Sequence, residues 1–166
     1  MKPFLNKFSE ENEYPNGCAY KTHAFPPESL PENVKVIYMF GNPYDIVVSA
    51  HKKMNHWGST HHFHLESDKY TPNDCVFKED TMMLYEHFDA WLRPQSFPLI
   101  TIRYETLFKE ETRQTISRFL GFNFKLPAFK ERQANWSSHP RKEEFSEIYS
   151  DLALKIDAAD DVRIWE

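Results

Sequence analysis

A single apolar segment constrains the fold of this chain most strongly. Residues 34–40, Val-Lys-Val-Ile-Tyr-Met-Phe, are rich in β-branched and aromatic side chains and are bounded by Pro31 and Gly41. Nearly all of these residues are apolar, which predicts a strand buried on both faces, as in a parallel sheet. Asn42 can cap a helix and Pro43 suits its first position, so we expect a helix to begin directly after this strand.

The alternation of strand and helix continues along the chain. A second short strand is predicted at residues 98–103, and two further helices are predicted to begin near Asn73 and Glu110. This order favours an α/β fold with a parallel sheet flanked by helices, whose ligands bind at the carboxyl ends of the strands. We expect an irregular N-terminal arm over residues 1–18 and one α/β domain over residues 19–166.

Composition narrows the classes of partner. Lys and Arg number 20 against 25 Asp and Glu, a formal net charge of -5, so no general attraction to nucleic acid or to an anionic membrane is expected. The sequence has neither an apolar run near the ~20 residues of a membrane span nor the apolar stretch of a signal peptide, so we expect a cytoplasmic protein. Cys18 and Cys75 are too few for a disulfide framework or a cysteine-rich zinc site.

Four histidines in one segment raise the question of a metal site. They are His56, His61, His62 and His64. His62 and His64 could share one face of an extended segment, but such spacing is weak evidence without partners that orient the imidazole rings. We therefore predict no metal site here and an exposed loop over residues 55–74.

Four short motifs, in this order, resemble the cytosolic and bacterial sulfotransferases. Lys-Thr-His at residues 21–23 precedes a Leu-Pro pair and the buried strand, which runs into Asn-Pro-Tyr-Asp-Ile-Val-Val-Ser at residues 42–49. An aromatic helix at residues 85–91 and a Tyr-Glu-Thr-Leu turn at residues 104–107 complete the set, and the resemblance covers about residues 19–122. It implies a P-loop-type sulfotransferase fold and sulfuryl transfer from 3'-phosphoadenosine-5'-phosphosulfate (PAPS) to a hydroxyl or amine of a small-molecule or carbohydrate acceptor.

The resemblance also implies roles for individual residues. His23 corresponds to the general base that takes the acceptor's proton, and an imidazole with a pKa of about 6.5 suits that task. Lys21, in the same motif, is the second catalytic candidate. Asn42 and Ser49 match the helix start and the serine at the 3'-phosphate, and Tyr104 matches the tyrosine near the adenine, so PAPS or 3',5'-adenosine bisphosphate is the implied cofactor.

Each of these residues also has an ordinary structural explanation. His23 alone would more often be a hydrogen-bonded histidine at a strand end. Ser49 alone is as well explained as a helical serine, and Tyr104 as an aromatic side chain packed at the end of a strand.

The sequence departs from the family pattern at its phosphate contacts. Gly41 stands where the family has an arginine that pairs with the 3'-phosphate, so a bidentate contact is lost. Only 22 residues precede His23, and residues 16–18, Asn-Gly-Cys, are not the Lys-Ser-Gly-Thr-type loop that cradles the 5'-phosphosulfate in the family. The family's basic loop over the nucleotide is also not visible, and Arg141-Lys142 is only a loose replacement for it.

These departures predict an incomplete sulfotransferase-like fold that lacks the first strand and the phosphate loop. The isolated chain is then expected to be inactive. A non-catalytic nucleotide-binding or protein-interaction module of the same fold, or one part of a split enzyme, stays open as an alternative. A missing strand leaves a sheet edge uncovered, so we expect a homo-oligomer or a complementing chain.

Overall fold

Helices and a small sheet alternate along the described part of the chain. The computed structural model describes residues 13–57, 75–128 and 135–165. Its elements are β1 (Val36–Phe40), α1 (Pro43–Trp57), α2 (Leu84–Trp91), β2 (Leu99–Arg103), α3 (Glu110–Leu120), α4 (Lys142–Ser146), α5 (Ser150–Ala158) and β3 (Val162–Trp165). Short 3-10 turns lie at Cys75–Phe77, Tyr104–Thr106 and Trp136–Ser138.

The predicted loop over residues 55–74 overlaps the end of α1, which extends to Trp57. The rest of that loop, with His61, His62 and His64, lies outside the described residues, as does the side chain of His56. The arm predicted over residues 1–18 is described only from residue 13 onward.

The sheet has the order β1-β2-β3. β1 and β2 run parallel, which confirms the prediction for these two strands. β3 runs antiparallel to β2, so the expectation of a wholly parallel sheet is wrong. The reason lies at Arg103, the last residue of β2, whose Nη2 donates to the carbonyls of Ile156 and Ala159 at 2.6 and 2.8 Å. Because α5 ends beside the carboxyl end of β2, the chain enters β3 from that end.

The prediction of a helix beginning near Asn73 is wrong for the described part of that segment. Cys75–Phe77 form a single 3-10 turn, and α2 begins only at Leu84. A helix would use the carbonyl of Val76 as an acceptor for its own backbone. Here that carbonyl accepts a hydrogen bond from the buried hydroxyl of Tyr149 at 3.0 Å, so a tertiary contact replaces the helical one.

The other two helix starts are confirmed. α1 begins at Pro43 and α3 at Glu110, and α3 ends at Leu120, followed by Gly121 with a φ of 85°, the left-handed conformation that favours glycine.

Apolar side chains line both faces of the sheet. On one face Phe40 joins a core with α1, α2, α4 and α5. On the other face Ile102 packs against Ile116 of α3. Ile37 and Met39 share that second face but remain 37% and 54% exposed. α3 therefore covers β2 and leaves much of β1 uncovered on this side, so the prediction that this strand is buried on both faces is wrong.

No helix in the described ranges combines the length and the apolarity that crossing a bilayer requires.

Candidate functional site

Two turns meet at the carboxyl ends of β1 and β2. The last residues of the two strands are register partners, which sets Gly41 and Asn42 beside Tyr104 and Glu105. The backbone N–H of Asn42 donates to Glu105 Oε1 at 3.2 Å. A Cβ on Gly41 would stand 2.9 Å from that oxygen, closer than ordinary packing allows, and 3.4 Å from Tyr104 Cβ, which is van der Waals contact. A side chain at residue 41 would require the flexible end of Glu105 to shift.

Asn42 caps α1 with its own side chain. Its Oδ1 accepts hydrogen bonds from the N–H groups of Tyr44 and Asp45 at 3.0 and 3.3 Å. Since Glu105 accepts from the N–H of Asn42 itself, three donors at this helix start are satisfied within the chain. A phosphate at this place would have to displace side-chain oxygens.

Ser49 is half-buried in the second turn of α1. It lies one turn after Asp45, and therefore on the same side of the helix. Asp45 Oδ1 accepts a hydrogen bond from the backbone N–H of Trp136 at 3.3 Å, and the Trp136 ring lies 4.5 Å from that of Tyr44. The C-terminal segment thus contacts α1 one turn from Ser49, a contact that the sequence did not predict.

Basic side chains follow on that C-terminal segment. The rings of His139 and Phe77 lie 5.3 Å apart, and the Arg141 guanidinium lies 4.7 Å from the same phenyl ring. Burial lowers the pKa of His139, and nearby positive groups lower it further; these are His51, Arg141 and Lys52. Arg141 donates from Nε and Nη2 to the carboxylate of Glu144 at 2.7 and 2.6 Å. The charge of Arg141 is therefore paired within the chain.

α2 anchors the segment that carries Lys21 and His23. Trp91 Nε1 donates to the carbonyl oxygen of Ala24 at 3.2 Å, and His87 Nε2 lies 3.0 Å from the same oxygen. His23 is half-buried and Lys21 is exposed. The structure thus fixes the backbone next to His23 against an aromatic helix.

The five predicted site residues fall into two groups. Asn42 and Tyr104 come together at the paired turns, and Ser49 follows on the helix that Asn42 caps. Lys21 and His23 lie in a separate segment, which α2 contacts at the carbonyl oxygen of Ala24.

Glu105 is the residue that sequence reasoning missed. Its place in the Tyr-Glu-Thr-Leu turn was evident, but no role was assigned to it. The signal was available in principle, because parallel pairing of two strands that end at Phe40 and Arg103 sets Gly41 beside Tyr104 and Asn42 beside Glu105.

Within residues 13–57, 75–128 and 135–165, no group of three or more His, Cys, Asp or Glu residues is placed to hold a metal ion.

A family model supplies the class of protein. The model of the sulfotransferase domain matches residues 5–163 of the 166-residue chain. Since the match spans most of the chain, the protein belongs to the sulfotransferase domain family. The α/β fold with its parallel β1–β2 pair is compatible with that membership. Comparison with curated proteins and with solved structures gives no match.

Proposed function

We propose that this protein is a sulfotransferase-like chain that keeps part of a PAPS site and does not catalyse transfer as an isolated polypeptide of residues 1–166. The observation that carries the proposal is the meeting of the Gly41–Asn42 and Tyr104–Glu105 turns at the carboxyl ends of two parallel strands. Ligands of α/β sheets bind at such ends. The sulfotransferase family match supports the proposal that this place binds the nucleotide.

In the ancestral reaction, a hydroxyl or amine attacks the sulfur of PAPS. The bond between the acceptor and sulfur forms, the bond from sulfur to the 5'-phosphate oxygen breaks, and 3',5'-adenosine bisphosphate leaves. His23 would take the proton that the acceptor loses, with Lys21 beside it. Asn42, Ser49 and Tyr104 would contact the nucleotide.

Loss of activity is proposed because the strongest phosphate contacts are missing from this polypeptide. General base catalysis contributes about 10²- to 10⁴-fold, so His23 alone cannot replace positioning of the leaving group. Losing one preorganised donor to a developing anion costs roughly 3 to 4 kcal/mol. The sequence ahead of His23 contains no Lys-Ser-Gly-Thr-type loop, and Gly41 replaces an arginine.

The test is sulfuryl transfer from labelled PAPS to a panel of phenols, alcohols, amines and sugars. The 166-residue polypeptide should give no product. A version extended by a family-like strand and phosphate loop should give product, and His23→Ala should abolish it. His139→Gln is the matched control, since it changes a half-buried histidine that has no assigned role in transfer. Product from the unextended polypeptide, lost in His23→Ala, would contradict the proposed inactivity.

A non-catalytic nucleotide-binding or interaction module is the second candidate. This candidate is favoured because the backbone N–H groups at the start of α1, which a phosphate would use, already donate to the side-chain oxygens of Asn42 and Glu105. The exposed Ile37 and Met39 on β1 favour a partner on that face, either a second copy or a complementing chain. No transfer from the extended version would favour this candidate. A cytoplasmic location remains part of both proposals.

A further inference from the structure

We propose that residues 135–141 form a pH-sensitive clasp, which holds the first turn of α1 at neutral pH and opens when His139 takes up a proton. The clasp contacts α1 where the backbone N–H of Trp136 donates to Asp45 Oδ1 at 3.3 Å. The proposal does not depend on nucleotide binding, so it can fail or succeed separately from the proposed function.

The clasp touches the rest of the chain near both of its ends. Trp136 bonds to Asp45, and its ring lies 4.5 Å from that of Tyr44. His139 lies with its ring 5.3 Å from the ring of Phe77, which is buried. The N–H of His139 also donates to the carbonyl oxygen of Trp136 at 2.9 Å. Because one short turn joins these two residues, a displacement of His139 also moves Trp136.

The hydrogen bond at the His139 ring fits the neutral imidazole only. The backbone N–H of Arg141 donates to His139 Nδ1 at 3.2 Å, so the proton of the neutral ring is on Nε2. In the imidazolium both ring nitrogens are donors, and an N–H at Nδ1 would point at the N–H of Arg141. Protonation therefore breaks this hydrogen bond and sets two donors against each other.

The charges around His139 also oppose its protonation. His51 and Lys52 face it from α1, and Arg141 faces it from the clasp itself. Among the described groups that act on it, Glu144 of α4 favours the proton, but its carboxylate is bound by Arg141 at 2.7 and 2.6 Å. Burial lowers the pKa of His139, and the positive groups lower it further. A proton on the ring is therefore disfavoured as long as the clasp is closed.

The direction of the pH effect follows from this difference between the closed and the open clasp. In the open clasp His139 has an ordinary imidazole pKa of about 6.5, so the open state binds the proton more tightly than the closed state. The ratio of open to closed clasp is therefore constant well above pH 6.5. It rises as the pH falls, by at most about tenfold per pH unit, until the closed state is protonated as well. Opening separates Trp136 from Tyr44 and Asp45 and exposes the first turn of α1.

Hydrogen exchange of the 166-residue chain, followed at single backbone amides by NMR between about pH 7 and 5.5, tests the clasp. Protection factors are compared, because the intrinsic exchange rate itself depends on pH. The reporters are the amides of Trp136 and Arg141, which donate to Asp45 and to His139, and the amides of β2 are the reference.

Two variants complete the test. His139→Gln keeps an acceptor for the N–H of Arg141 but does not titrate. His51→Gln is the matched comparison, since it makes the same change at the other histidine beside Phe77, with the two rings 4.5 Å apart. It removes a group that lowers the pKa of His139 and leaves the titrating ring in place.

We expect protection at Trp136 and Arg141 to fall by up to about tenfold in the wild type as the pH falls from 6.5 to 5.5, while β2 stays protected. In His51→Gln the fall should be smaller, and in His139→Gln protection should stay constant. Constant protection in the wild type, an equal fall in His139→Gln, or a parallel fall in β2 overturns the proposal. Should His139→Gln not fold, His51→Gln decides: a fall as large as that of the wild type overturns the proposal, and a smaller one supports it.

Discussion

Replacing Arg103 by alanine should destabilise the chain by about 3 kcal/mol. Its side chain is only 16% exposed and donates two hydrogen bonds, at 2.6 Å to Ile156 and at 2.8 Å to Ala159. A hydrogen bond that involves a charged group contributes roughly 1.5 to 3 kcal/mol, and the lower value for each of these two gives about 3 kcal/mol. The ion pair with Asp161, whose side chain is 52% exposed, adds less than about 1 kcal/mol.

Urea denaturation measures this change directly, and the melting temperature should fall by about 6 to 12 °C for a chain of this size. Arg93→Ala is the control, because Arg93 is 73% exposed and lies 3.9 Å from its ion-pair partner on α2. It should change stability by no more than about 0.5 kcal/mol. Equal unfolding midpoints for the two variants would refute the conclusion that Arg103 ties β2 to the end of α5.

Three further substitutions test other contacts. Trp91→Phe removes an indole donor that anchors residues 21–25 and should cost about 1 kcal/mol, with faster amide exchange in that segment; unchanged exchange would speak against the anchor. The lowered pKa of His139 means that the unfolded chain binds more protons, so the wild type loses stability as pH falls through 6.5. Denaturation midpoints between about pH 5 and 7 should fall less steeply in His139→Gln, and an identical slope would contradict this. Gly41→Arg should pair with Glu105 and enlarge the melting shift caused by 3',5'-adenosine bisphosphate, and an unchanged shift would contradict a phosphate site there.

Local signals predicted the centre of the fold. The run of β-branched and aromatic residues in β1, followed by Asn42 and Pro43, specifies a strand and a helix start within a few residues of each other. The structure has both, with the Asn42 side chain as the cap. In the same way, the glutamates at the start of α3 and the glycine after its end, Gly121, predicted where this helix begins and stops.

Long-range contacts account for what the sequence did not predict. The antiparallel entry into β3 follows from hydrogen bonds between Arg103 and the end of α5, more than 50 residues away. The interrupted helix before α2 reflects the hydrogen bond from Tyr149 to Val76. The contact between Glu105 and Asn42 depends on strand register, which periodicity within a single segment does not reveal.

The most direct test of the proposed nucleotide site is to titrate the isotopically labelled protein with 3',5'-adenosine bisphosphate and follow the backbone amide signals by NMR. We expect weak binding in the millimolar range, with the largest shifts at Asn42, Glu105 and neighbouring residues, and smaller ones toward Ser49. Shifts confined to other parts of the chain, or no shifts at all at millimolar ligand, would contradict a nucleotide site at the ends of β1 and β2.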